Sequence, residues 1–236
     1  MNKTIKQWLS AAADMLMPRL CPVCHKALDG DETWLCRDCL AALPRTRYEE
    51  VDFNAMEQHF AGIVPVERAT AYFFYEKGSP YASILHDIKY HHTPRMGHWL
   101  AMRAVTDMSG SHFFDTIQAV TAVPLHRSKL AQRGYNQSEY LARGIADTLD
   151  IPYVKALKAI RPHPTQTHKG AMERWQNIQG NYALNEKTAS LLAGQHILLV
   201  DDVITTGSTL TVCTTLLKGI PGVTVSLFTL AAARLE

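Results

Sequence analysis

Ile197-Leu-Leu-Val-Asp-Asp-Val-Ile-Thr-Thr-Gly-Ser-Thr209 decides how this chain is read. The four apolar residues 197–200 have the character of a strand buried on both faces. Two carboxylates, Asp201 and Asp202, follow where such a strand is expected to end. The turn Thr205-Thr206-Gly207-Ser208-Thr209 then leads into a helix-like run over residues 210–217. Backbone N–H groups at a tight turn and a helix start have no intrahelical partner, so they attract a phosphate. Gly207 permits a close approach or a positive φ. The hydroxyls of Thr205, Thr206, Ser208 and Thr209 can add hydrogen bonds, and Asp201 and Asp202 can accept from a sugar diol or hold hydrated Mg²⁺. No Lys occupies the turn, which excludes a Walker A loop. The bland alternative is a strand ending in Asp-Asp before an ordinary helix cap.

These thirteen residues resemble the ribose-5-phosphate-binding signature of type I phosphoribosyltransferases, which bind phosphoribosyl pyrophosphate. The resemblance implies that Asp201 and Asp202 contact the ribose hydroxyls, beside the reacting carbon if the chain is catalytic. It further implies that Thr205, Thr206, Gly207, Ser208 and Thr209 hold the 5-phosphate.

With 236 residues, 47% of them hydrophobic, the chain can bury a real core and hold one medium domain with a small appendage. The net charge of +2 does not by itself imply nucleic acid. No run approaches the roughly 18 apolar residues that cross a bilayer. Residues 1–17 are interrupted by Lys3, Lys6 and Asp14 and read as a short amphipathic helix, not a signal peptide. A cytoplasmic protein is expected, its first helix packed on its own domain or resting on a partner or the inner membrane face.

Cys21-Pro-Val-Cys24 and Cys36-Arg-Asp-Cys39 form two Cys-x2-Cys knuckles, the spacing of a tetrahedral four-thiolate zinc ribbon. A segment so small needs the metal to fold, and four protein ligands leave no open position, so the zinc is structural. Disulfides are the alternative and fit a cytoplasmic chain poorly. Residues 28–31 are expected to supply the hairpin. Cys213 reads as a buried apolar residue, without the partners of a nucleophile.

The expected division is a helix over residues 1–17, the ribbon over 18–44, a linker over 45–67 and an α/β domain over 68–236. Strands are expected at 69–75, 119–123, 151–157, 197–200 and 223–230, with helices at 79–88, 95–108 and 137–149. That alternation predicts a parallel sheet whose ligands sit at the carboxyl ends of the strands. The loops after Val123 and Val200 then open on one edge. Residues 124–136 are expected to form the first of these loops. Arg127, Lys129 and Arg133 could neutralise a pyrophosphate there, and Asn136 is placed to cap the helix that Gln137 opens.

Arg133-Gly-Tyr-Asn-Gln137 resembles a motif of the ComF family of competence-associated proteins. The four-cysteine module, Ile88-Lys89-Tyr90, and Arg161 through Thr165-Gln166 to Arg174 and Asn177 agree with it. The histidine-rich stretch after Tyr90 departs from that family's basic-Gly ending and weakens any role carried over to Lys89. The resemblance implies a type I phosphoribosyltransferase fold, a parallel sheet flanked by helices, behind a four-cysteine zinc ribbon. It also implies phosphoribosyl pyrophosphate or a nucleotide as ligand, Mg²⁺ with it, and work beside DNA-uptake machinery. Residues 161–177 occupy the place of the mobile loop that closes over substrate in these transferases, with Lys169 and Arg174 as arriving cations; a solvated connection reads equally well.

Between Ala119 and Asn177 nine Lys/Arg face only four carboxylates. Those cations could serve the pyrophosphate alone, or follow a single-stranded DNA backbone while Tyr135 and Trp175 stack on bases. Two classes of function thus remain: an active phosphoribosyltransferase, or a nucleotide- or single-strand-binding module.

Overall fold

The computed structural model describes residues 18–91, 93–161 and 180–234. Its helices are α1 (Arg37–Ala41), α2 (Ala55–Phe60), α3 (Ala82–Tyr90), α4 (Pro94–Asp107), α5 (Arg127–Arg133), α6 (Gln137–Leu149), α7 (Glu186–Ala189) and α8 (Ser208–Lys218). Its strands are β1 (Ala69–Tyr75), β2 (Ala119–Ala122), β3 (Leu157–Ala159), β4 (Tyr182–Leu184), β5 (His196–Ile204) and β6 (Thr224–Ala233).

The main sheet runs β1-β6-β5-β2, and every pairing in it is parallel. The expected doubly covered strand is therefore central: Ile197, Leu198, Leu199 and Val200 are each fully buried. Side chains alternate between two cores, as the strand period of two requires. Leu198 and Val200 of β5, Val120 of β2 and Phe228 of β6 face α3, α4 and α6. Ile197, Leu199, Leu227 and Ala119 face α2, α8 and Leu157.

Several segments differ from the sequence reading. β5 does not stop at Val200 but runs through both acids to Ile204, because β6 extends to Ala233 and keeps pairing with it, Asp201 beside Thr229 and Val203 beside Ala231. The segment expected as a third strand at 151–157 contributes only a parallel bridge, Val120 to Tyr153, on the β2 edge. The Ala156 N–H folds back on the Val154 carbonyl at 2.9 Å, which bends the chain off the sheet. Leu157–Ala159 then pairs antiparallel with β4 in a separate two-stranded sheet. The loop expected at 124–136 contains α5.

Residues 45–67, expected as a linker, hold a 3-10 turn and α2. Asn54 Oδ1 accepts from the N–H groups of Met56 and Glu57, while Glu57 Oε2 accepts from the Asn54 N–H, a complete capping box. Met56, Phe60 and Val64 bury into the core on the α8 side of the sheet.

Candidate functional site

β2 and β5 are parallel neighbours, so the loops after them open on one edge, as expected. At that edge the carboxylates of Asp201 and Asp202 stand on consecutive residues of the central strand. Asp201 Oδ1 accepts from the Ser138 hydroxyl at 2.8 Å and from the Asp202 N–H at 2.9 Å. Asp202 is buried, and its Oδ2 lies 2.8 Å from Lys89 Nζ. Burial, then the Asp202 charge, push Asp201 up to about 7 against the Ser138 hydrogen bond. Burial by itself would lower Lys89, yet the charge and hydrogen bond of Asp202 hold its ammonium above the ordinary range.

The turn that follows opens a helix. Gly207 has φ +64° and precedes α8 directly, so Ser208 and Thr209 already belong to the first helical turn. Thr205 to Thr209 and Asp201 line a depression of about 40 Å³. The Thr206 and Ser208 hydroxyls are 3.1 Å apart. His59 of α2 packs beneath this turn, its Nε2 donating to the Thr206 carbonyl at 3.2 Å. A Cβ at Gly207 would stand 2.7 Å from that nitrogen, so Gly is required for space as well as for φ.

The Arg133-Gly-Tyr-Asn-Gln137 motif frames the acids instead of lining an open loop. Arg133 bonds the Gln137 side chain and lies over the Tyr90 ring, 5.2 Å from its centroid. Tyr135 is buried and donates to the Ile88 carbonyl at 2.6 Å, so it cannot serve as the stacking platform considered from sequence. Asn136 caps α6 as expected, accepting from the Ser138 N–H, and its Nδ2 also donates to the Val123 carbonyl at 3.0 Å. The motif thus ties α3, β2 and α6 together around the pair that Lys89 and Ser138 hold. On α5, 100° per residue puts Lys129 and Arg133 on one face and Arg127 on the opposite one. Lys169 and Arg174 lie outside the described residues, as does the helix expected over 1–17.

Lys89, His59 and Ser138 are the site residues that sequence reasoning missed or discounted. Ser138 sat beside the quoted motif and Lys89 inside one. Nothing local marks His59, whose partner is far along the chain.

At the N-terminus the Sγ atoms of Cys21, Cys24, Cys36 and Cys39 gather within 4.8 Å of one another, with Cys24 and Cys36 3.6 Å apart. Sulfurs on a tetrahedral ion at ~2.3 Å are about 3.8 Å apart, so this donor set fits one. The spacing is far too long for a disulfide, and all described cysteines are free thiols. Burial opposes the Cys21 thiolate, but N–H groups of Cys36, Cys24 and Val23 outweigh it and bring the thiol down to about 7. The hairpin flanks the first knuckle, through a bridge of Leu20 with Ala27, and not residues 28–31. Among the described residues no helix is long and apolar enough to cross a membrane.

Residues 136–234 match the phosphoribosyl transferase domain model. Competence protein F of Haemophilus influenzae is 34% identical over 116 residues, 49% of this chain and 50% of that protein. The chain thus spans about half the length of that relative. DNA utilization protein YhgH of Escherichia coli is 25% identical over 194 residues, 80% of each chain. Glutamine phosphoribosylpyrophosphate amidotransferase from B. subtilis, solved with ADP and GMP, is 22% identical over 57% of this chain and 25% of its own, with a TM-score of 0.34. Residues 136–234 thus carry a phosphoribosyl transferase domain, and the chain is similar to competence protein F and to DNA utilization protein YhgH.

Proposed function

We propose that this protein binds phosphoribosyl pyrophosphate, or a nucleotide presenting the same group, and acts in DNA uptake or utilisation. One observation carries the reading: a paired carboxylate on the central strand and a glycine-hinged, hydroxyl-rich helix start share one edge of a parallel sheet. Asp201 and Asp202 accept from the ribose diol, and Thr205, Thr206, Gly207, Ser208 and Thr209 take the 5-phosphate. Lys129 and Arg133, which share a face of α5, approach the pyrophosphate, with Arg127 at its margin and Lys169 and Arg174 as closing cations. Mg²⁺, when bound, offsets pyrophosphate charge that no single side chain can neutralise. Zinc held by Cys21, Cys24, Cys36 and Cys39 is structural. The names of the relatives support the cellular role.

In the catalytic form of this reading, a nitrogen nucleophile displaces pyrophosphate from the anomeric carbon in nucleotide metabolism. The chain's part is to fix the ribose and stabilise charge on the departing phosphates, not to supply a covalent nucleophile. The second reading, a non-catalytic single-strand-binding module, draws on the excess of Lys/Arg between Ala119 and Asn177.

Equilibrium titration with phosphoribosyl pyrophosphate and Mg²⁺ tests the site. Asp201→Asn with Asp202→Asn should abolish binding while circular dichroism stays native; unchanged affinity removes the assignment. Pyrophosphate release across a panel of bases then separates the readings. No turnover with any base, beside salt-sensitive binding of single-stranded oligonucleotides, favours the binding module.

A further inference from the structure

Apart from the four cysteines, one other set of metal-ligating side chains converges among the described residues: His86, Asp87 and His91. Their donor atoms lie within 4.8 Å of one another. Asp87 Oδ1 is 2.8 Å from His91 Nδ1 and 3.8 Å from His86 Nδ1. The two imidazoles meet edge to face, centroids 4.8 Å apart.

The way α3 ends produces this convergence. On a continuing helix, residues five apart diverge by about 140° and could not share an ion. Here α3 stops at Tyr90; His91 still donates its N–H to the Asp87 carbonyl, so the two side chains meet as an i,i+4 pair, while its φ of −99° and ψ of 21° depart from helical geometry. Ligands about 2.0–2.2 Å from one divalent ion stand roughly 3–4 Å apart, so these donors need only side-chain adjustment. The carboxyl end of a nine-residue helix adds partial negative charge at the same place. Both imidazole side chains are more than half exposed, which leaves water to complete the coordination shell.

We propose that His86, Asp87 and His91 form a second metal site, for a borderline divalent transition ion of the Zn²⁺, Ni²⁺ or Cu²⁺ class. Two imidazoles and one carboxylate suit such ions and not Mg²⁺ or Ca²⁺, which prefer oxygen. The site is independent of the cysteine cluster and of the phosphoribosyl reading. It lies on the solvent side of the helix whose buried side carries Lys89 to Asp202. An ion there ties the last turn of α3 to the residue beyond it, and so stiffens the turn that holds Lys89.

The test uses the full chain with its cysteine site saturated with zinc. Calorimetric titration with Ni²⁺ should reveal one further equivalent. It should weaken by roughly tenfold or more in His86→Gln/His91→Gln, since losing even an outer partner of a metal costs 10–100-fold. The cysteine-bound zinc and the circular dichroism of that variant should match the parent. With Cu²⁺ in place of Ni²⁺, electron paramagnetic resonance of the parent should carry coupling to two nitrogens, a readout that needs no variant. Equal Ni²⁺ affinity in parent and variant, or no equivalent beyond zinc, overturns the proposal.

Discussion

Lys89 and Asp202 form a buried pair at the centre of the candidate site, with side chains 22% and 6% exposed. Each charge is tolerable there only because the other is present. Removing one partner leaves an uncompensated buried charge, so Lys89→Met should destabilise the ligand-free protein by about 3 kcal/mol. Adding Asp202→Asn should return part of that loss, a positive coupling in a double-mutant cycle read from urea midpoints. Additive single effects would mean that the pair is not formed. At this scale the acids were legible, because adjacent carboxylates before a hydroxyl-rich glycine turn have few other uses. Lys89 was legible as a residue but not as their counter-ion, and His59 was not legible at all. Both contacts cross the fold, between residues that no local pattern connects.

Among the elements, α6 was read at its full extent because seven of its positions bury and Asn136 caps it. α5 was missed for the opposite reason. None of its residues is buried, so no apolar period marks it. α2 carried a signal that went unread, Asn54 followed three residues later by Glu57, the capping-box spacing. Packing between α4 and α6 depends on Gly144. A Cβ there would meet the His98 carbonyl oxygen at 2.4 Å and Ala101 Cβ at 3.1 Å. Gly144→Ala should therefore destabilise by roughly 1–3 kcal/mol through overpacking, outweighing the ~1 kcal/mol gained in helix propensity. A neutral or raised urea midpoint would show that the helices can separate without cost.

For the molecule as a whole, the cysteine module and the α/β domain share a core: Cys21, Leu35, Cys36, Cys39 and Leu43 belong with Tyr72, Leu85 and Phe228. Cys36 also caps α1, its Sγ accepting from the Cys39 N–H, a role Ser can keep. Cys36→Ser should consequently lose the metal and speed amide exchange in α1, while β5 stays protected. Full metal occupancy in that variant would contradict the four-thiolate site. Acid response is a second global property. Burial lowers the pKa of His196, against the Glu67 charge and the Thr116 bond, so the folded state keeps the ring neutral. The unfolded chain takes up the proton first, near its ordinary pKa of about 6.5. Stability from this group is thus complete above that value and lost as pH falls toward the folded pKa. His196→Gln should flatten the fall in urea midpoint between about pH 7 and pH 5. An unchanged slope would assign it to other groups.

Taken alone, the sequence determined a buried strand ending in paired acids, a glycine turn into a helix, and two metal-type knuckles. Each is a run of adjacent residues whose chemistry is local. Tertiary structure decided what surrounds those runs. Pairing with β6 carried β5 through both acids, and the bend at Ala156 removed an expected strand from the sheet. Helix α2 folded back to set His59 beneath the turn at Gly207, and Tyr135 went into the core to clamp the helix that delivers Lys89. These outcomes depend on which distant surfaces bury each other, a competition that local spacing does not encode.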